Sequence, residues 1–376
     1  MRAAMNPFFS KGAADRASAG FVRRLNSASD IISQQSAERK GIDLVNVIRS
    51  LTCNTMAEAF LGDPELVPTG CRSDLLDTLD EIGSKSLLIL NFPLLGYLGS
   101  KIPPCIADSL APGLRGLREK CNILIRRCQE KKNNSESFGG SGSVCEMILG
   151  TNPAGALSTA VDRDIMQHTL QFLVPNTDSS AMALSAAIFE LIKFPAMRHR
   201  LRGELMDYSL ESDDWSSLTK LPYLTAVVKE TLRMHPSLPG LLPRVVPAGG
   251  YTIGQHYLPQ DSIYAMHQNA EAYPEPTRFI PERWLINSDK ERDRCFTPFQ
   301  KGNNACIGIN LAYMQLYLGI AHIVKRVDLA LCQSDFTDWD WIDRAGAKLA
   351  RLVSVRVVQD YASGEYSRGS MDSNGV

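Results

Sequence analysis

The chain holds 376 residues, 44% hydrophobic and 22% charged, an ordinary globular composition with enough apolar surface for a large core. Its 40 basic and 41 acidic residues leave a net charge of −1, so nucleic-acid binding has no electrostatic support. The nine cysteines are scattered from Cys53 to Cys332 without the paired short spacing of a zinc site, and they fit a reducing compartment.

The chain opens on Met1-Arg2-Ala3-Ala4-Met5-Asn6-Pro7-Phe8-Phe9-Ser10, an abrupt start for a fold, because a helix ending in Asn-Pro normally has a turn before it. From Ala13 to Phe60, Phe21, Leu25, Ile31 and Ile32 and then Leu44, Val47, Ile48 and Leu51 recur at helical intervals. Leu75 to Leu90 and Leu114 to Lys131 read as further helices, and the Gly/Ser-rich stretch Ser135 to Ser143 reads as a flexible loop. No run of about 18 apolar residues could span a bilayer. The most apolar window, 87–98, is interrupted by Asn91, Pro93 and Gly96, and reads as core or as a surface grazing a membrane.

Asp162 to Phe194 is the longest helical run, with Met166, Leu170, Leu173, Thr177, Ala181, Leu184, Ile188 and Leu191 on one stripe. Pro175 sits inside it, where proline removes a hydrogen bond and kinks the helix. In the helical stretch Leu224 to His235, Glu230 and Arg233 are three apart and share a face. Leu242 to Pro247 and Tyr251 to Gly254 read as short strands with turns. His267 is read as a structural hydrogen bonder rather than a ligand. No Pro/Ser/Gly-rich linker divides the chain into compositional halves, so residues 1–358 are expected to form one domain, with residues 359–376 as a small, polar, disordered tail.

Near the end of the chain, residues 299–308 read Phe-Gln-Lys-Gly-Asn-Asn-Ala-Cys-Ile-Gly. Cys306 precedes a segment in which Ile307, Leu311, Met314, Leu318 and Ala321 fall on one helical face. The cysteine therefore lies in a glycine-relieved loop where a helix begins, and the positive end of that helix favours a thiolate. A buried structural cysteine is the commoner fate of a lone thiol.

The pattern Phe-x-x-Gly-x-x-x-Cys-x-Gly resembles the haem-binding loop of the cytochromes P-450, the haem-thiolate monooxygenases. The resemblance implies that Cys306 is the axial ligand of the iron of haem b, in a loop carrying Phe299, Gly302 and Gly308; a thiolate there favours cleavage of the O–O bond. It also implies that Arg2 and Arg244 contact haem propionates, and that Asp178 and Ser179 are the acid–alcohol pair delivering protons to bound dioxygen. By the same resemblance Glu230, Arg233 and the Arg283 of Pro281-Glu282-Arg283-Trp284 form a structural network holding the haem loop. Pro175, Asn176 and Asn304 depart from the family pattern, where alanine, glycine and a basic residue are usual, and a strand or turn looks clipped around Ile263 to His267.

The implied fold is mainly α with small β-sheets, lacking the amino-terminal anchor, first helices and first strands that the family places before Arg2. The phrases Asn6 to Ser10, Leu242 to Pro247 and Pro281 to Leu285 look most like the filamentous-fungal secondary-metabolism branch, which includes trichodiene-oxygenase-like and benzoate-hydroxylase-like enzymes. The implied activity is insertion of one oxygen atom from dioxygen into a lipophilic small molecule. Electrons would come from an NADPH-cytochrome P-450 reductase docking near the cysteine, where Lys301, Arg292 and Arg294 would form a basic patch. The family sits on the cytoplasmic side of the endoplasmic reticulum. Two other readings stay open: an inactive haem-binding remnant or incomplete gene model, and a thiolate-haem enzyme that rearranges or dehydrates without dioxygen.

Overall fold

A computed structural model describes residues 6–37, 41–63, 65–70, 73–81, 159–239, 263–286, 289–302, 305–332, 341–343, 347–349 and 353–361, with Trp339 and a few short stretches between residues 92 and 126. Arg2, Arg244, Asn304, the expected strands at 242–247 and 251–254, and residues 362–376 lie outside the described residues.

The long helical pattern near the start resolves into two helices, α1 (Lys11–Ala37) and α2 (Leu44–Leu61), separated by the short strand β1 (Ile42–Asp43). Asp43 caps α2 by accepting from the Asn46 amide at 3.2 Å. Gly62 ends it in the left-handed region (φ 70°), its amide donating to Glu58 O while the Asp63 amide donates to Ala57 O. The expected stripe is present, since Phe21, Leu25, Leu44, Val47, Ile48 and Leu51 are all buried.

The longest helix, α3 (Thr159–Lys193), runs through Pro175 without interruption. It is followed by α4 (Pro195–Glu204), α5 (Trp215–Leu218) and α6 (Pro222–Met234). The segment Ile263–His267 is itself a short helix, α7, where a clipped strand or turn was expected. A 3₁₀ turn (Pro281–Trp284) and α8 (Lys290–Cys295) lead to the cysteine loop.

Helix α9 (Ile309–Arg326) lies at the centre of the molecule. Sequence periodicity predicts one apolar face, yet Met314 to Val324 are all buried, because α1 packs on one side and α3 on another. At Gly319 an added β-carbon would stand 2.5 Å from Leu184 Cδ2, so glycine sets the close approach of α9 to α3.

The chain then adds β2 (Val327–Leu331), the hairpin β3 (Trp341–Asp343) and β4 (Ala347–Leu349), and β5 (Ser354–Asp360). The main sheet has the antiparallel order β1-β5-β2, with Ile42 opposite Val355, Val327 opposite Asp360, and a bulge between Asp328 and Leu329. Strand β5 passes the expected domain boundary at residue 358, and the Tyr361 amide donates to Arg326 O at 2.8 Å. The fold is mainly α with small β-sheets, and its layers bring the middle of α3 over the start of α9.

Candidate active site

A cavity of about 380 Å³ lies between those two elements. Helix α3 contributes Phe172, Pro175, Asn176, Ser179, Ser180 and Ala183; the opposite wall is Pro298, Phe299, Gln300, Cys306, Ile307 and Gly308. Phe9 closes one side, and Leu232 with Pro236, Ser237 and Leu238, from the end of α6, closes another. The walls are mostly apolar, with a few polar atoms, the usual character of a small-molecule or cofactor site.

The sulfur wall is a tight backbone construction. The Cys306 amide donates to Phe299 O at 2.8 Å and the Ala305 amide to Gly302 O at 3.0 Å, closing the loop just before α9. Two residues in it take left-handed torsions, Gln300 (φ 61°) and Gly302 (φ 77°). Gly308 has an ordinary φ of −86°, and an added β-carbon would stand 3.9 Å from Cys306 Sγ and 4.0 Å from Phe9 Cδ1. Neither torsion nor crowding asks for glycine there. Its effect is to leave open space beside the sulfur.

On the opposite wall, Pro175 has no amide hydrogen for the carbonyl four residues back, that of Gln171, which also lines the cavity. Ser179 Oγ donates to Pro175 O at 2.5 Å. Asn176 Nδ2 donates to Thr52 O at 2.9 Å, Thr52 Oγ1 to Thr177 O at 2.8 Å, and Ser237 Oγ to Ser179 O at 2.8 Å. Neighbouring helix positions point about 100° apart, and the acid–alcohol pair divides accordingly. Ser179 faces the cavity, whereas the Asp178 carboxylate accepts from Arg49 Nε at 2.9 Å. Arg49 also pairs with Asp80, at 2.9 Å. Burial alone would lower the Arg49 pKa, but the two carboxylates hold it above its ordinary value.

The other expected residues sit behind the site. Glu230 accepts from Arg233 Nε (2.9 Å) and Nη2 (2.8 Å), from Arg283 Nε (3.1 Å), from Trp284 Nε1 (2.8 Å) and from the Ile280 amide (2.9 Å). Glu230, Arg233 and Arg283 therefore meet in one buried cluster outside the cavity lining. His267 accepts from the Thr297 amide at Nε2 (3.1 Å), so Nδ1 carries the proton and donates to Arg233 O (3.0 Å). Arg292 does not join a basic surface patch, since it is buried, bonded to Arg283 O, and stacked over the Trp284 ring at 5.1 Å. Arg294 and Lys301 are exposed.

Sequence reading missed Thr52, Ser237 and Arg49. No local pattern marks them, because the partners of Thr52 and Arg49 lie 125 and 129 residues further along the chain.

The cytochrome P-450 family model matches residues 1–340. Cytochrome P-450 monooxygenase hkm5 of Aspergillus hancockii is 32% identical over 369 residues, covering 95% of this chain and 71% of that protein. Cytochrome P-450 monooxygenase penB of Penicillium thymicola is 30% identical over 354 residues, covering 90% and 79%. A crystallised cytochrome P-450 superposes with a TM-score of 0.66 at 20% identity, covering 95% of this chain and 78% of its own, a likeness of fold.

Haem, the cofactor this fold implies, fits the residues present. A sulfur donor faces an apolar cavity, space is open beside it at Gly308, and a hydroxyl stands on the far wall. On the sequence match and the fold together, the chain belongs to the cytochrome P-450 family, the haem-thiolate monooxygenases.

Proposed function

We propose that the protein inserts one atom of dioxygen into a lipophilic small molecule of secondary metabolism, with the Cys306 sulfur as the group that would hold the haem iron. The observation that carries this reading is that Cys306 and Ser179 reach one cavity from two different elements. When bound, haem supplies dioxygen activation and oxygen-atom transfer, chemistry that side chains alone do not possess. The chain's own part is to hold, dry and protonate the site.

Cys306 is held by the Phe299–Cys306 loop bond and stands before the positive end of α9, which favours negative charge on the sulfur. Phe9, Phe172, Leu238 and Phe299 exclude water and accept an apolar substrate. The Ser179 hydroxyl gives its proton to Pro175 O, which leaves its lone pairs to accept from a donor in the cavity. Asp178, paired with Arg49 at 2.9 Å and with its side chain 19% exposed, is the proposed proton-exchanging group on the α2 side of the same turn. Glu230, Arg233 and Arg283 keep the loop in place and take no part in the chemistry. Arg2 and Arg244 are the proposed propionate partners.

An electron donor is required by the family's chemistry, and an NADPH-cytochrome P-450 reductase docking beside exposed Arg294 and Lys301 fits this role. Among the described residues no single helix is long and apolar enough to cross a membrane. Phe92, Leu94 and Tyr97, all well exposed, support membrane-surface contact for the apolar window at 87–98. Both relatives named above carry monooxygenase names, which does not favour an inactive remnant.

The test is the carbon monoxide spectrum of the reduced, purified protein. The unsubstituted chain should give the red-shifted Soret band of thiolate-ligated haem, and Cys306→Ala should lose it. Retention of that band in the variant would remove the ligand assignment.

A further inference from the structure

We propose that Thr52 and Ser237 are positioning residues that weaken the α3 ladder at Thr177 and Ser179, and so set how Ser179 faces the cavity. The inference rests on the role given to Ser179 above. In an unbroken helix each carbonyl accepts the amide four residues on, so Thr177 O and Ser179 O belong to Ala181 and Ala183. Here both carbonyls have a second donor from outside the helix.

Thr52, fully buried on α2, approaches Thr177 O at 2.8 Å. Its hydroxyl also lies 3.1 Å from Arg49 O and 3.2 Å from Ile48 O, but it has one proton, and the shortest contact is the one to α3. Asn176 returns the bond, donating to Thr52 O at 2.9 Å, so α2 and α3 are clasped in both directions. Ser237 approaches Ser179 O at 2.8 Å from the end of α6. It is itself fixed, because the Ala347 amide of β4 donates to Ser237 O at 2.9 Å.

Carbonyls two residues apart point about 200° apart around a helix, so the two hydroxyls engage α3 from nearly opposite sides. Side chains that enter a helix ladder tilt carbonyls outward and lengthen the bonds within it. Pro175 has already withdrawn one donor a turn earlier. Asn176, where the family usually has glycine, is part of the clasp and not a blemish in the helix.

A plain tether and a wedge predict opposite signs. Removing a tether loosens α3 and speeds amide exchange around it. Removing a wedge lets the ladder tighten and slows exchange.

Thr52→Val and Ser237→Ala in the full chain should slow exchange in peptides covering residues 175–185 by roughly fivefold, the worth of one ordinary hydrogen bond. Peptides of α9 serve as the internal reference. Thr52→Ser and Ser237→Thr keep the hydroxyl and should restore the original rate. With reductase and NADPH, the two hydroxyl-deleted variants should also release more hydrogen peroxide per NADPH oxidised.

Faster or unchanged exchange in both hydroxyl-deleted variants would overturn the proposal. So would equal rates in Thr52→Val and Thr52→Ser. The two substitutions lie on different elements, so failure of one to fold leaves the other to decide. The carbon monoxide spectrum reports on Cys306 and not on these hydroxyls. Its failure in the unsubstituted protein would sink the functional reading without touching the exchange result.

Discussion

Gly302 and Gly308 belong to one sequence pattern and do different physical work. At Gly302 the backbone holds φ at 77°, and an added β-carbon would meet nothing within 4 Å among the described residues, so the cost of an L side chain there is torsional. That cost is about 1–2 kcal/mol. At Gly308 the torsion is ordinary and the space beside Cys306 Sγ is what glycine preserves. Gly302→Ala should therefore lower unfolding free energy in urea by about 1–2 kcal/mol. Gly308→Ala should change it by less than about 0.5 kcal/mol while shifting the Soret spectrum of the bound haem. Equal stability losses in the two variants would show that the loop does not divide the work this way. The spacing of the glycines was legible in the sequence. Their separate tasks were not, because torsion and clearance depend on how the loop closes between Phe299 and Cys306.

Between elements, the Glu230 cluster joins α6 to the segment running through Pro281–Trp284. The two carboxylate oxygens receive five donors from Arg233, Ile280, Arg283 and Trp284, and both Glu230 and Arg233 are fully buried. Arg233 in turn donates to His267 O, Pro276 O and Arg278 O, which fixes the path of the chain on its way to the cysteine loop. Removing one partner leaves a buried charge uncompensated. Glu230→Ala should cost about 3–5 kcal/mol. The exposed pair Arg278–Glu275 has the same spacing along the chain and offers a control: losing it through Arg278→Ala should cost less than about 1 kcal/mol. Comparable losses, measured by denaturant titration, would mean the cluster is no more than a surface pair. In the sequence a Glu and an Arg three apart carry almost no information. The Trp284 indole and the Ile280 amide, which complete the shell around the carboxylate, leave no trace in spacing.

For the molecule as a whole, what could be read in advance followed from periodicity and from the cysteine loop, both local properties of the chain. The clasp at Thr52, the pairing of Asp178 with Arg49 and the burial of α9 on all sides were not readable, because each arises from segments brought together by packing. The same burial has a consequence for acid stability. His267 and His322 are both almost fully enclosed, and burial holds their pKa values down at about 4, with Arg326 adding to the effect at His322 and Asp30 opposing it. An unfolded histidine titrates near 6.5. Between those values the unfolded chain binds a proton that the folded chain refuses, so stability is full above about pH 6.5 and is lost as pH falls toward about 4. Each histidine contributes up to about 1.4 kcal/mol per pH unit across that window. The two should nevertheless respond differently to substitution. His267 makes two hydrogen bonds, so His267→Ala should destabilise the protein at every pH. His322 Nε2 is buried with no hydrogen-bond partner among the described residues, so His322→Leu should leave stability at pH 7.5 unchanged or improved and make the decline toward pH 4.5 shallower. Urea midpoints followed by tryptophan fluorescence at four pH values decide it. If the decline is as steep in His322→Leu as in the unsubstituted chain, His322 is already protonated in the folded state, and its enclosure between α1 and α9 is not what sets its charge.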